Sequence, residues 1–210
     1  MAHILITSGP TRQYLDPVRY LSNASSGRMG VALAAAAIEA GHRVTIVSGP
    51  VHVVYPAEAE VISVVSTEEM LAACRKVFPH CDGLIAAAAP CDYRPASVAA
   101  HKIRKTGEPL HVEFVETPDI VATLATEKGA RWMVAFALET EDPRARAMQK
   151  LERKNCDLIV VNSPAAVNAA DTTVELLDRD GQVLGSFSGG KTDVARDVFR
   201  VIQRRLIKPA

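Results

Sequence analysis

The 210-residue chain has no charge excess, its 24 lysines and arginines matching 24 aspartates and glutamates. Without a basic surplus there is no general pull toward nucleic acid, so an anionic ligand must be met by a local basic cluster. No apolar stretch approaches the roughly 20 residues of a membrane span, and no basic leader precedes Ile4-Leu5-Ile6, so neither signal peptide nor anchor is expected. The four cysteines, Cys74, Cys81, Cys91 and Cys156, lack C-x-x-C spacing. That argues against a zinc site or a dense disulfide framework and fits a reducing cytoplasm. A dinucleotide fingerprint is also missing. No G-x-G-x-x-G follows the first apolar run, and the second ends in Val47-Ser48-Gly49 without an acidic residue, both of which weigh against an NAD(P)-dependent reductase.

What is present is a regular alternation. Short apolar runs at His3–Thr7, Arg43–Val47, Val61–Val64, Leu84–Ala88, Trp132–Phe136 and Leu158–Val161 have the pattern of buried parallel strands. Between several of them lie stretches with apolar residues at helical spacing: Met29–Ala40, Glu68–Phe78, Asp119–Thr126, Arg144–Lys154 and Thr192–Leu206. This predicts an α/β fold with a doubly wound, mostly parallel Rossmann-like sheet flanked by helices. Val174–Leu177 and Val183–Phe187 flank the turn Asp178-Arg179-Asp180-Gly181, which predicts a C-terminal β-hairpin extending the sheet. Ser66 followed by Glu69 has capping-box spacing, while Thr117-Pro118 and Asp142-Pro143 each place a capping oxygen before a proline at the first helical position. With no interdomain linker in view, residues 1–210 are expected to form one domain.

Two segments break the alternation. Ser8–Arg28 and Ala89–His111 are long, rich in Pro, Gly, Arg and Lys, and follow strands where open α/β sheets bind ligands. In the first, Ser25-Ser26-Gly27 stands before a helix that begins near Arg28. Hydroxyls, glycine backbone and free amides there suit a phosphate or carboxylate, and equally suit a plain helix cap. In the second, the small residues Ala86, Ala87 and Ala88 let a flat ring approach the backbone. Asp92 and the basic run Lys102-Ile103-Arg104-Lys105 follow, readable by themselves as a capping aspartate and a solvated face. Lys150 and Lys154 share one helix face.

Taken together, T-S-G-P-T-R, D-P-V-R-Y, S-N-A-S-S-G-R-M-G and V-S-G-P-V over Thr7–Val51 resemble the opening of the phosphopantothenoylcysteine synthetase family. The resemblance continues through A-A-A-A-P-C-D-Y-R-P, T-P-D-I-V, A-F-A-L-E-T and K-L-E-R-K-N-C-D to about Asn162. Pro90-Cys91 replaces the more usual Val-Ala, Arg104 replaces a lysine, and Ala165–Asp171 lacks the family's G-F-x-x-D-x-N pattern.

The resemblance implies a ligase of coenzyme A biosynthesis. It would couple 4'-phosphopantothenate to L-cysteine through an acyl-cytidylate, with CTP as co-substrate and Mg2+ as cofactor. It places Asn23 against the reacting carboxylate, with Ser25, Ser26, Gly27 and Arg28 also on the substrate. Nucleotide contacts are implied for Ala86, Ala87, Ala88, Asp92, Lys102, Pro118, Asp119, Ile120, Val121, Phe136, Lys150 and Lys154. Asn23 and Lys102 are the implied catalytic pair, and the metal ligands stay unassigned. A cytoplasmic homodimer with a site completed by the partner is implied as well, with no membrane or nucleic-acid role. Relatives often carry this domain behind a flavin-dependent decarboxylase, for which these 210 residues hold no second domain. A reductase on a modified Rossmann sheet and a non-catalytic nucleotide-binding module are the competing readings.

Overall fold

The first apolar run alternates its side chains between two faces, Ile4 and Ile6 entering one apolar layer and Leu5 the other, all fully buried. That alternation sets the architecture, because a strand buried on both faces needs helices above and below it. The computed structural model describes residues 1–138, 141–162 and 171–207. In chain order its elements are β1 (His3–Ser8), β2 (Arg12–Tyr14), β3 (Tyr20–Ser22), α1 (Arg28–Glu39), β4 (Arg43–Ser48), β5 (Glu60–Ser63), α2 (Thr67–Val77), β6 (Gly83–Ala86), β7 (Tyr93–Pro95), β8 (Phe114–Glu116), α3 (Ile120–Ala125), β9 (Trp132–Leu138), α4 (Pro143–Arg153), β10 (Leu158–Asn162), β11 (Asp171–Asp178), β12 (Val183–Gly190) and α5 (Lys191–Leu206).

The central sheet has eight strands in the order β12-β11-β10-β9-β6-β1-β4-β5. From β10 to β5 every pairing is parallel, while β11 runs antiparallel to β10 and β12 antiparallel to β11. The expected Rossmann-like sheet and hairpin extension are therefore both present. Helices α1 and α5 cover one face through Leu33, Ala34, Val198, Phe199 and Ile202. On the other, α2, α3 and α4 contribute Met70, Cys74, Leu124, Ala147 and Leu151. The chain reverses direction of winding at β1, between β6 and β4, so the loops after β1 and β6 face each other across a crevice at the carboxyl edge. Among the described residues no helix is long and apolar enough to cross a membrane.

All four cysteines are buried free thiols. Burial pushes Cys74 and Cys156 up to about 12 and Cys81 to about 11, so at neutral pH these three are packing residues and not nucleophiles.

The helix starts correct two expectations. Ser66 does close a capping box with Glu69, its hydroxyl accepting the Glu69 N–H at 3.1 Å. At α3, however, the cap is Asp119, whose carboxylate accepts the Ala122 N–H at 3.0 Å, and not Thr117. Thr117 instead donates its hydroxyl to the Cys91 carbonyl at 2.6 Å, which ties α3 to the loop after β6. At α4 the proline stands at the start as expected, but Asp142 is left-handed at φ 42° and its side chain makes no cap bond. Nor are the two long segments structureless. Ser8–Arg28 folds into the β2–β3 hairpin, and the strand β7 inside Ala89–His111 pairs antiparallel with β8.

Candidate functional site

A cleft of about 770 Å³ opens along the carboxyl edge of β1, β6, β9 and β10. Its volume is in the range that takes a drug-sized or nucleotide-sized ligand. The lining comes from separate chain segments: Asn23, Ser25, Ser26, Gly27 and Arg28 from the first loop and the start of α1; Ala86, Ala87, Ala88 and Asp92 after β6; Pro118, Asp119, Ile120 and Val121 at the start of α3; Phe136 on β9; and Lys150 and Lys154 on α4. Every residue singled out from the sequence except Lys102 lies on this surface. The residues Glu139-Thr140 of the A-F-A-L-E-T stretch and the segment 165–170 lie outside the described residues.

The floor at α1 is built by close packing. Gly27 caps the helix at φ 74°, a left-handed conformation that glycine adopts without strain, and no side chain caps this end. Gly30 lies against Ser8, whose Oγ would be 2.1 Å from a Cβ at position 30, so any side chain there would displace the helix from the sheet. The first intrahelical bond runs from the Val31 N–H to the Gly27 carbonyl at 3.1 Å, leaving the amides before it to the cleft. The helix start is tight, with Gly27 at the cap in place of a serine hydroxyl, and the amides beside it suit an anion.

Asn23 bridges the two loops. Its amide nitrogen donates to the carbonyls of Pro90 at 2.9 Å and Ala89 at 3.3 Å. Both donor hydrogens are therefore in use, and donating to a developing oxyanion requires giving up the longer bond. The backbone after β6 is similarly committed. The amides of Ala87, Ala88 and Ala89 donate to Thr7 O, Thr7 Oγ1 and Gly9 O at 3.2, 3.3 and 2.9 Å, so carbonyls are what remains here to read a base, favouring one with an exocyclic amine. The Cys91 carbonyl accepts from Thr67 and Thr117, and its amide donates to Thr11 at 2.8 Å. These hydroxyls hold the Pro90-Cys91 departure in place.

The acidic and basic groups divide by whether they are already paired. Burial raises the Asp119 pKa, but the Ala122 amide and the Lys154 ammonium outweigh it and hold the carboxyl below its ordinary value. Lys154 reaches Asp119 at 3.1 Å, so each already has a partner within the cleft. Asp92 and Glu116, both exposed on the cleft, are carboxylates without an ion pair among the described residues. Phe136 is half-buried and leans on the core layer of α1 and α5 while it lines the cleft. Asp157, the last residue of the K-L-E-R-K-N-C-D block, is structural: it accepts the Met133 N–H at 2.7 Å and ion-pairs with buried Lys128 at 2.7 Å.

Lys102 is the exception. It is exposed, and the turn Asp16–Arg19 anchors its loop: Asp16 accepts the Ile103 N–H at 3.1 Å, the Arg19 guanidinium donates to the Ile103 carbonyl, and the Ala99 N–H meets the Leu15 carbonyl at 2.9 Å. The loop that was expected to bring it to the phosphates instead holds it outside the cleft lining. Conversely, Thr67, Glu116 and Lys191 are among the lining residues that the sequence does not mark as site residues. Lys191 carried one signal, a cation in the first turn of a helix, where the dipole disfavours it. Where a reductase would carry its ribose-binding acid, Ser48 is buried and hydrogen-bonded to the Tyr55 hydroxyl at 2.8 Å.

Fold and cleft together define an α/β protein with a nucleotide-sized, partly basic crevice at the topological switch point of its sheet. The chain belongs to the DNA/pantothenate metabolism flavoprotein C-terminal domain family, whose sequence model matches residues 1–206. It is 45% identical over 186 residues to the coenzyme A biosynthesis bifunctional protein CoaBC of Vibrio cholerae, covering 85% of this chain and 47% of that protein. To the protein of the same name from Escherichia coli K12 it is 43% identical over 187 residues, covering 85% and 46%. The crystal structure of the C-terminal domain of a coenzyme A biosynthesis bifunctional protein CoaBC superposes with a TM-score of 0.84 at 34% identity, covering 98% of this chain and 95% of that one. The chain thus spans about half the length of the curated relatives it matches. The family resemblance drawn from Thr7 to Asn162 holds.

Proposed function

We propose that this chain is a phosphopantothenate–cysteine ligase domain acting in coenzyme A biosynthesis, in the cytoplasm, with CTP as co-substrate. The observation that carries the reading is the cleft itself: residues far apart in sequence, in the motifs that carry the family resemblance, line one crevice. In the first half-reaction a carboxylate oxygen of 4'-phosphopantothenate attacks the α-phosphorus of CTP, the bond to the β-phosphate breaks, and pyrophosphate leaves. In the second the cysteine amine attacks the acyl carbon, CMP leaves, and the amine gives up a proton. Neither step needs a side-chain nucleophile, and the buried, raised-pKa Cys91 thiol beside the cleft is not one.

The chain's own groups orient and neutralise. The open start of α1, with Ser25, Ser26 and Arg28, meets anionic oxygens. Asn23 sits where the two loops join, beside the reacting carboxylate. The Ala86–Ala88 backbone and Phe136 hold the base, and Lys150 and Lys154 approach the nucleotide from α4. Mg2+ fits this set, with Asp92 as its protein carboxylate, and when bound it would screen the polyphosphate charge. Incubation with CTP, 4'-phosphopantothenate and cysteine is expected to release CMP and pyrophosphate. Side-by-side kinetics should favour CTP over ATP by about tenfold or more in kcat/KM, roughly 1.4 kcal/mol of discrimination. Equal use of ATP would reject the CTP assignment, and no pyrophosphate at all would reject the ligase in favour of a binding module.

The homodimer is supported by a surface. The hairpin β2–β3 packs on β7, and this region exposes Val18, Tyr20, Leu21, Tyr93, Val98 and Phe114, with Val18 and Val98 near 58% and 59% exposed. Several large apolar side chains exposed in one region of a surface point to a covering partner. A second copy related by a two-fold axis would cover it. In sedimentation the chain is expected to run as a dimer and Leu21→Asp as a monomer; an unchanged mass for the variant would place the interface elsewhere.

A further inference from the structure

Three of the cations around the cleft are already paired: Lys154 with Asp119, Arg153 more loosely with the same carboxylate, and Lys150 with a partner of its own. Two cations are not. Arg28, at the first position of α1, and Lys191, at the first position of α5, both line the cleft, and among the described residues neither forms an ion pair or a side-chain hydrogen bond. Asp193, the acid nearest Lys191 in its own helix turn, faces Arg196 at 3.6 Å. Lys191 is half-buried, and burial followed by repulsion from Arg28 holds its ammonium below the ordinary lysine value. Two like charges are thus brought together at the open start of α1, each at a helix position that the dipole makes unfavourable for a cation. Such a local conflict is expected at a binding site, where a ligand supplies the missing counter-charge.

We propose that Lys191 is a further ligand-binding residue, which together with Arg28 seats a doubly charged phosphate group over the start of α1. This rests on the ligase reading for the identity of its ligand, which is either the phosphate chain of the nucleotide or the 4'-phosphate of the acyl substrate. Calorimetric titration of the wild-type chain, Lys191→Gln and Lys191→Arg with pyrophosphate, CTP, 4'-phosphopantothenate and unphosphorylated pantothenate tests it. Lys191→Gln should weaken at least one phosphate-bearing ligand by about tenfold or more, consistent with loss of a charge-assisted contact. Pantothenate should be unaffected, and Lys191→Arg should recover most of the loss. A deficit confined to CTP and pyrophosphate assigns the seat to the nucleotide, and one confined to 4'-phosphopantothenate assigns it to the substrate. Lys191 stands in a cleft wall and not in the core, so melting temperatures should be nearly equal, which separates lost binding from lost folding. Wild-type affinity of Lys191→Gln for every phosphate ligand overturns the proposal. Failure of the ligase reading shows differently, as absent turnover by the wild-type chain with the pyrophosphate difference intact.

Discussion

Asn23→Asp is expected to slow formation of the acyl-cytidylate by roughly a thousandfold, and to be worse than Asn23→Ala. The two residues are nearly isosteric, so the difference is charge. A carboxylate about 4 Å from the reacting carboxylate and the α-phosphate meets repulsion on the order of 4 kcal/mol at an effective dielectric near 20. Asn23 is exposed in the open cleft, so the full figure applies once bound ligands exclude water; in open solvent the effect is smaller. The structure adds a second penalty of the same sign. An aspartate would face the Ala89 and Pro90 carbonyls, which now accept from the amide at 3.3 and 2.9 Å, with nothing to donate to them. Asn23→Ala loses the same bonds and the amide's contact with the reacting carboxylate without adding charge, so the difference between the two variants isolates the charge. Rapid-quench measurement of pyrophosphate release and acyl-cytidylate resolves the pair. An aspartate variant that forms the intermediate at the wild-type rate would reduce Asn23 to a loop tie.

Lys102→Gln is expected to lower turnover by about a hundredfold or more, the effect of removing a charge that stabilises a transition state, with the melting temperature nearly unchanged. The second half follows from exposure: no core cavity opens when an exposed side chain is shortened. The first half requires Lys102 to serve a cleft that its own loop does not let it line. Service of the partner's cleft in the proposed homodimer is tested with an equimolar mixture of Lys102→Gln and Asn23→Asp chains. A mixed dimer would then pair both defects in one cleft and leave the other intact, restoring about a quarter of wild-type activity after random exchange. No recovery assigns Lys102 to its own subunit's cleft, reached by loop movement. Wild-type turnover of Lys102→Gln removes it from the mechanism.

Much of the fold was legible because it follows from local period. Apolar runs of strand length, helical spacing between them and the Ser66–Glu69 box all report interactions within a few residues or with a generic apolar layer. The misplaced α3 cap has a specific reason. Thr117 and Asp119 are both good capping residues, and what decides between them is that Thr117 is claimed by the Cys91 carbonyl, 26 residues away. The short strands inside the long loops were hidden for a related reason: three-residue strands such as β2 and β7 carry too few positions to show a period.

The sequence by itself determined the sheet, its hairpin extension, the family, and about half of the residues that line the cleft, because chain-local patterning and linked motifs carry that information. Tertiary structure decided which charges are spent and which are free. Whether Lys154 is an open phosphate ligand or the partner of Asp119, whether Asp157 belongs to a site or holds the Met133 amide, and whether Lys102 or Lys191 reaches the cleft depend on distances between segments far apart in the chain. Electrostatic interaction falls off over a few ångströms of such distance, which residue type and spacing along the chain do not encode.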